Sequence, residues 1–161
     1  MVNRNGTPQS PQSSIQILTI IHLALFVGVL LFGIVALTIK PEKGIILDAS
    51  NVFMFVVPIM AAAAIGGGRF LYRQLLKTAI AKPTVKEKLA TYQVAFIARF
   101  ALLDGVSFLS IMAYLNTGNL FYLLVVGVML TLFIILRPTK DRIFTDLNLT
   151  YDEQSDFSSL Q

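Results

Sequence analysis

The fold of this chain is decided by residues 51–115, which read NVFMFVVPIMAAAAIGGGRFLYRQLLKTAIAKPTVKEKLATYQVAFIARFALLDGVSFLSIMAYL. Two long apolar runs lie in this stretch, and a polar turn with Lys82, Lys86 and Lys88 separates them. A helix of about 20 apolar residues is long enough to cross the hydrocarbon core of a bilayer. The pattern therefore predicts two membrane-crossing helices joined by a basic turn.

Two further apolar runs, at 15–39 and 120–136, flank this hairpin. Together with the helices predicted at 51–77 and 89–115, they take up most of the 161 residues. Only 14% of the residues are charged, against about 25% in soluble domains, and the mean hydropathy is +0.72. We therefore predict an all-α polytopic membrane protein whose four transmembrane helices form one domain at 15–136.

The two ends of the chain are polar. Residues 1–14 are rich in Pro, Ser, Gln and Asn, and we expect a disordered tail there. Residues 137–161 read as a cytoplasmic tail, which begins with a short interfacial helix. Thr139 is placed to cap that helix, and Ile143 and Leu147 share one of its faces.

The positions of the basic residues predict the orientation. Loops that carry an excess of Lys and Arg stay on the cytoplasmic side of a membrane, and the turn at 78–88 is such a loop. With four spans, both termini then lie in the cytoplasm (N-in/C-in). The whole chain also resembles small bacterial four-helix membrane proteins of uncharacterised activity, which implies a multi-pass protein of the bacterial inner (plasma) membrane.

Several function classes are not expected. The chain has no Cys, which excludes disulfides and thiolate metal sites. Its net charge of +4 comes from residues at helix ends, so it does not indicate a nucleic-acid partner. The sequence offers no nucleophile–base pair, metal-ligand cluster or phosphate-cradling loop, since the Gly66–Gly68 run lies inside a predicted membrane helix. We predict no enzyme activity, no cofactor and no metal.

Small residues dominate one segment of the second helix. Pairs of small residues four positions apart allow another helix to approach closely. The pairs are Ala62/Gly66, Ala63/Gly67 and Ala64/Gly68. Two interpretations stay open: close packing within this chain, or association with a second copy or with another subunit of a membrane complex.

Arg99 and Asp104 interrupt the third apolar run. An ionisable residue at mid-membrane depth is a functional-site hypothesis by default. The five-residue spacing disfavours a pair between these two, whereas Arg69 leans into the bilayer from the neighbouring helix, so we expect a structural Arg69–Asp104 ion pair. The alternatives are a neutral Asp104 bonded to Ser107 or to a carbonyl, and a carboxylate that exchanges protons or cations.

Polar residues in the first helix and basic residues at the end of the second give two weaker signals. Thr19 and His22 share a face with Gln16, which indicates either a polar stripe bonded to neighbouring helices or a proton path through His22. Arg73 and Lys77 extend from Arg69 as a one-sided basic stripe that suits the headgroups of anionic lipids.

From Phe53 to Leu115, the hairpin resembles the c subunit of rotary ATP synthases. In that family a small-residue helix leads through a polar cytoplasmic loop to a second helix with one ion-binding carboxylate. Ala61–Gly68 looks like the small-residue helix, 81–83 like the loop, and 100–104 like the segment that leads into the carboxylate. The resemblance implies a proton- or sodium-binding role for Asp104 alone.

We expect a small integral membrane protein that acts as a structural subunit or homo-oligomer, packed through its small-residue face, with the lipid bilayer as its other partner. One alternative is a proton- or cation-translocating protein, similar to the c subunit or to a small transporter, that uses Asp104. The other alternative is a module that binds anionic lipids through the basic stripe.

Overall fold

All four predicted apolar runs form helices in the computed structural model, which describes residues 11–151 and 153–154 and the side chains from residue 15 onward. A fifth, short helix follows them. Within the described residues the elements are α1 (Pro11–Ile39), α2 (Phe53–Ile80), α3 (Val85–Thr117), α4 (Leu120–Ile135) and α5 (Lys140–Asp146). The prediction of an all-α fold is confirmed.

Helix α3 extends beyond its apolar run because a capping side chain, and not hydropathy, determines where it begins. Thr84 accepts a hydrogen bond from the Glu87 amide at 3.3 Å, so α3 starts at Val85 instead of residue 89. Helix α1 already begins at Pro11, although we expected 11–14 to belong to a disordered tail. The rest of that tail, residues 1–10, lies outside the described residues.

Three helices, α1, α2 and α3, are long and apolar enough to cross a membrane. Helix α4 has 16 residues, about 24 Å at the usual helical rise, and it qualifies only when it is counted together with α5. The chain bends by 80° between these two helices. Pro138 explains the break, because a proline disfavours helical backbone in the residue before it and lacks an amide to donate.

Helix α3 lies at the centre of the bundle and packs against α1, α2 and α4. Helices α1 and α3 run in the same direction, since Phe100 contacts His22 and, further along, Phe108 contacts Phe32. Among its described side chains, α1 buries only a few, namely Ile15, Leu18, Val29 and Ala36. Most of the α1 surface is therefore exposed and aliphatic, as in a helix that meets lipid or another protein.

The loop between α1 and α2 is tied to the turn between α3 and α4. The Asn119 side chain bonds both backbone groups of Ile46, accepting from its amide at 3.1 Å and donating to its carbonyl. The Tyr114 hydroxyl donates to the Lys40 carbonyl at 2.9 Å. We call the loop at 40–52 with its Asn119 and Tyr114 contacts the outer clasp.

Helix α5 folds back onto the bundle. Thr139 caps it by accepting from the Arg142 amide at 3.3 Å. Ile143 and Leu147 share one face, and both are fully buried in the same core cluster as Tyr92. The apolar face of this short helix therefore packs against the protein core.

Candidate functional site

Asp104 lies on the face of α3 that is turned toward α1. Residues four positions apart share a helix face, and the two such neighbours of Asp104 are Phe100 and Phe108. The ring of Phe100 is 4.9 Å from that of His22, and the ring of Phe108 is 5.5 Å from that of Phe32. Since both partners belong to α1, the carboxylate projects into the α1–α3 interface.

Neither partner that we expected for Asp104 bonds to it. Its Oδ1 atom is buried and has no hydrogen-bond partner among the described residues. Arg69 is exposed and forms no ion pair with it. The Ser107 hydroxyl donates to the Leu103 carbonyl of its own helix at 2.8 Å. Arg69 and Asp104 therefore do not form the ion pair that we expected from the sequence.

Arg69 fails to reach Asp104 because of its position around α2. Gly68 is the residue that meets α3, where a Cβ atom would lie 3.6 Å from Arg99 Cγ. Successive residues of a helix are turned by roughly 100°, so Arg69 projects to one side of the face that meets α3, and its side chain is exposed. The tilt of a side chain along the helix axis does not determine this rotation around the axis.

Arg99 has partners that no pattern in the sequence indicated. Its guanidinium carbon lies 5.0 Å from the centroid of the Tyr72 ring, a cation–π arrangement. The Tyr72 hydroxyl donates to Asp146 at 2.6 Å, and the Tyr92 hydroxyl reaches the same oxygen at 3.4 Å. We call these four residues the Tyr72 cluster. It joins α2, α3 and α5.

The Tyr72 cluster links the half-buried Arg99 guanidinium to the Asp146 carboxylate through the Tyr72 side chain. No sequence spacing relates Arg99 to Asp146.

His22 sits among aromatic rings, and its Nδ1 atom is buried without a hydrogen-bond partner among the described residues. The expected polar stripe does not bond to neighbouring helices, because Thr19 donates to the Ile15 carbonyl of its own helix and Gln16 is exposed. The rings within 6.2 Å of the imidazole centroid are those of Phe96, Phe100 and Phe133.

The small-residue segment of α2 divides between two faces. Ala61, Ala64 and Gly68 are buried against the bundle. The remaining small residues are exposed, and a Cβ atom added at either of the two glycines among them would meet nothing within 4 Å. We call this outward set, Ala62, Ala63, Gly66 and Gly67, the α2 outer face.

The basic stripe continues the exposed surface of α2. Arg73 and Lys77 are exposed, and neither side chain forms a hydrogen bond or an ion pair with the described residues. In the described part of the chain no group of three or more His, Cys, Asp or Glu could hold a metal ion.

A cavity of about 410 Å³ opens where the start of α1 meets the end of α4. Its lining combines polar and apolar side chains. From the sequence, we expect Thr139, one of them, only to cap a helix. The lining residues are Thr19, His22, Leu23, Phe26, Ile134, Arg137, Pro138 and Thr139.

Comparison with known proteins assigns no family. No family model matches the chain, and neither a curated protein nor a solved structure matches it significantly.

Proposed function

We propose that this chain is a four-span integral membrane protein of the bacterial inner membrane, with both termini in the cytoplasm, that serves as a structural subunit. In this proposal it associates with a second copy, or with another membrane subunit, through the α2 outer face. It has no enzymatic role. The observation that carries the proposal is the outward orientation of two of the three small-residue pairs.

The contrast between two exposed surfaces supports this choice. Where α1 is exposed, it presents large aliphatic side chains such as Leu30, Leu31 and Ile34. The α2 outer face instead presents alanines and glycines, with open space above Gly66 and Gly67. Small residues let helix backbones come into van der Waals contact, which drives helix association in lipid.

The test is to replace Gly67 by Leu and measure association in detergent and in liposomes by crosslinking and by light scattering. We expect the dissociation constant to rise at least tenfold, or about 1.4 kcal/mol. Gly127→Leu in α4 is the matched control, since this glycine is also exposed with nothing within 4 Å of an added Cβ. If both variants associate like the unmodified chain, the α2 outer face is not an interface.

A second candidate function is translocation of protons or cations by Asp104. The observation that favours it is the buried Oδ1 atom without a partner, which leaves the carboxylate available for exchange. The resemblance of the α2–α3 hairpin to the c subunit points in the same direction.

Flux measurements in liposomes test this candidate. Asp104→Asn should abolish uptake driven by a pH or sodium gradient, whereas Asp141→Asn, on the exposed side of α5, should leave it unchanged. Equal flux in the unmodified chain and in Asp104→Asn would remove the candidate.

A further inference from the structure

The cavity between α1 and α4 has an apolar side and a polar end. Leu23, Phe26 and Ile134 line the apolar side, and Arg137 and Thr139 lie at the polar end. Its volume of about 410 Å³ falls in the usual range for small-ligand sites, roughly 300 to 1,000 Å³. Such a lining suits a ligand with one apolar and one polar part.

The polar end offers hydrogen-bond donors. The Arg137 side chain is exposed, carries five N–H donors and forms no hydrogen bond with the described residues. The Thr139 oxygen accepts from the Arg142 amide at 3.3 Å, which leaves its O–H free to donate. No carboxylate lines the cavity. The complementary end of a ligand is therefore a negatively charged acceptor.

The inner wall of the cavity is held in place by packing. The His22 imidazole is fixed by the rings of Phe100 at 4.9 Å and Phe133 at 5.8 Å. A wall that is already ordered loses little conformational entropy when a ligand binds. The cavity is thus formed by contacts that do not depend on a ligand.

The position of the cavity identifies the kind of ligand. Its polar end follows α4, and its other wall belongs to the first half of α1. Both lie toward the end of the bundle that we propose to face the cytoplasm. Lipid headgroups lie at that level, next to acyl chains that would run along Leu23 and Ile134.

We propose that this cavity binds an anionic phospholipid of the inner leaflet. Its phosphate interacts with Arg137 and Thr139, and the upper part of one acyl chain packs against Leu23, Phe26 and Ile134. This inference rests on the proposed membrane insertion but not on association through the α2 outer face. It is also separate from the basic stripe at Arg73 and Lys77.

The test uses native mass spectrometry of the full chain in detergent, titrated with dioleoyl phosphatidylglycerol or dioleoyl phosphatidylcholine. We expect phosphatidylglycerol to bind at least tenfold more tightly. Arg137→Gln should weaken its binding about tenfold, or about 1.4 kcal/mol. Lys82→Gln removes the same charge from the exposed α2–α3 turn and should change the affinity less than twofold.

A second variant keeps the charge and fills the space. Leu23→Trp should block binding of phosphatidylglycerol while the helical circular dichroism stays unchanged. If Arg137→Gln does not fold, this variant alone tests whether the cavity binds the lipid. An equal loss for Arg137→Gln and Lys82→Gln would show general attraction to basic surface and overturn the inference. So would a lack of preference between the two lipids, or displacement of lipid by millimolar inorganic phosphate.

Different results would contradict the lipid site and the proposed membrane insertion. A chain that inserts into liposomes but does not select phosphatidylglycerol contradicts only the lipid site. A chain that does not insert contradicts the proposed membrane protein itself.

Discussion

At the scale of single residues, Asp104 gives the sharpest prediction. Burying an ionised carboxylate without a partner costs several kcal/mol, and Oδ1 is buried without one among the described residues. We expect Asp104→Asn to leave the thermal midpoint unchanged or to raise it, because no ion pair is lost. Arg69→Gln should change stability by less than about 0.5 kcal/mol, as exposed positions usually do. Thermal circular dichroism of both variants measures this.

The opposite result has a clear meaning. If each single variant lowers the midpoint and the double variant recovers part of the loss, Arg69 and Asp104 are paired after all. That result would support the Arg69–Asp104 ion pair that we expected from the sequence.

Residue types were easier to predict from the sequence than residue partners. Hydropathy alone marks Arg99 and Asp104 as unusual, because charge interrupts an apolar run. Arg99 lies over the ring of Tyr72, and the Tyr72 hydroxyl bonds to Asp146. Asp146 belongs to a different helix, far along the chain. Such a contact depends on how α5 folds back, and no local spacing encodes that.

At the scale of elements, the docking of α5 depends on the Tyr72 cluster. Tyr72→Phe removes the 2.6 Å hydrogen bond to Asp146 and keeps the ring beneath Arg99. A hydrogen bond to a charged group contributes about 1.5 to 3 kcal/mol, so the amides of 140–149 should exchange at least tenfold faster with solvent. Tyr151→Phe, at a tyrosine that is 91% exposed, is the control. Unchanged exchange in Tyr72→Phe would show that apolar packing alone holds α5.

A second contact beyond α5 gives a pH dependence. Lys88 Nζ lies 2.6 Å from Glu153 Oε1, and this hydrogen bond, helped by the Thr150 amide, holds the pKa of Glu153 below its ordinary 4.5. A lowered carboxyl pKa stabilises the folded state fully above pH 4.5 and loses that effect as the pH falls through the folded pKa. For a pair near the surface the contribution is at most about 1 kcal/mol.

Hydrogen exchange of 147–154, compared between pH 6 and pH 3 after correction for the intrinsic rates, measures this contribution. Glu153→Gln should exchange faster at pH 6 and show little further change at pH 3. If the unmodified chain and the variant respond to pH alike, the Lys88–Glu153 pair does not hold this segment.

The existence of α1 to α4 could be predicted from the sequence, and so could the cap of α5, because each follows from local pattern. Their ends could be predicted less well. Val85 to Lys88 is too polar for an apolar run, yet these residues are helical because Thr84 caps them. The cavity needs the start of α1 beside the end of α4, which only the packed bundle provides.

At the scale of the whole molecule, the orientation is open to a direct test. The chain has no native Cys, so single introduced cysteines report sidedness cleanly. Leu47→Cys, at a residue 75% exposed in the outer clasp, should react with an impermeant maleimide added outside the cell. Lys86→Cys should react only after the membrane is permeabilised. Reaction of Lys86→Cys in intact cells would contradict the proposed topology.

The outer clasp has a practical consequence for anyone who wants to attach a reporter to this protein. Every residue from 41 to 50 is exposed, so the loop looks like an obvious insertion point for an epitope or a fluorescent domain. An insertion there would break the hydrogen bonds between Ile46 and Asn119. The α1–α2 loop would then separate from the α3–α4 turn. The turn at 81–83 bonds only to nearby residues of its own chain segment, and it is the better place for a fusion.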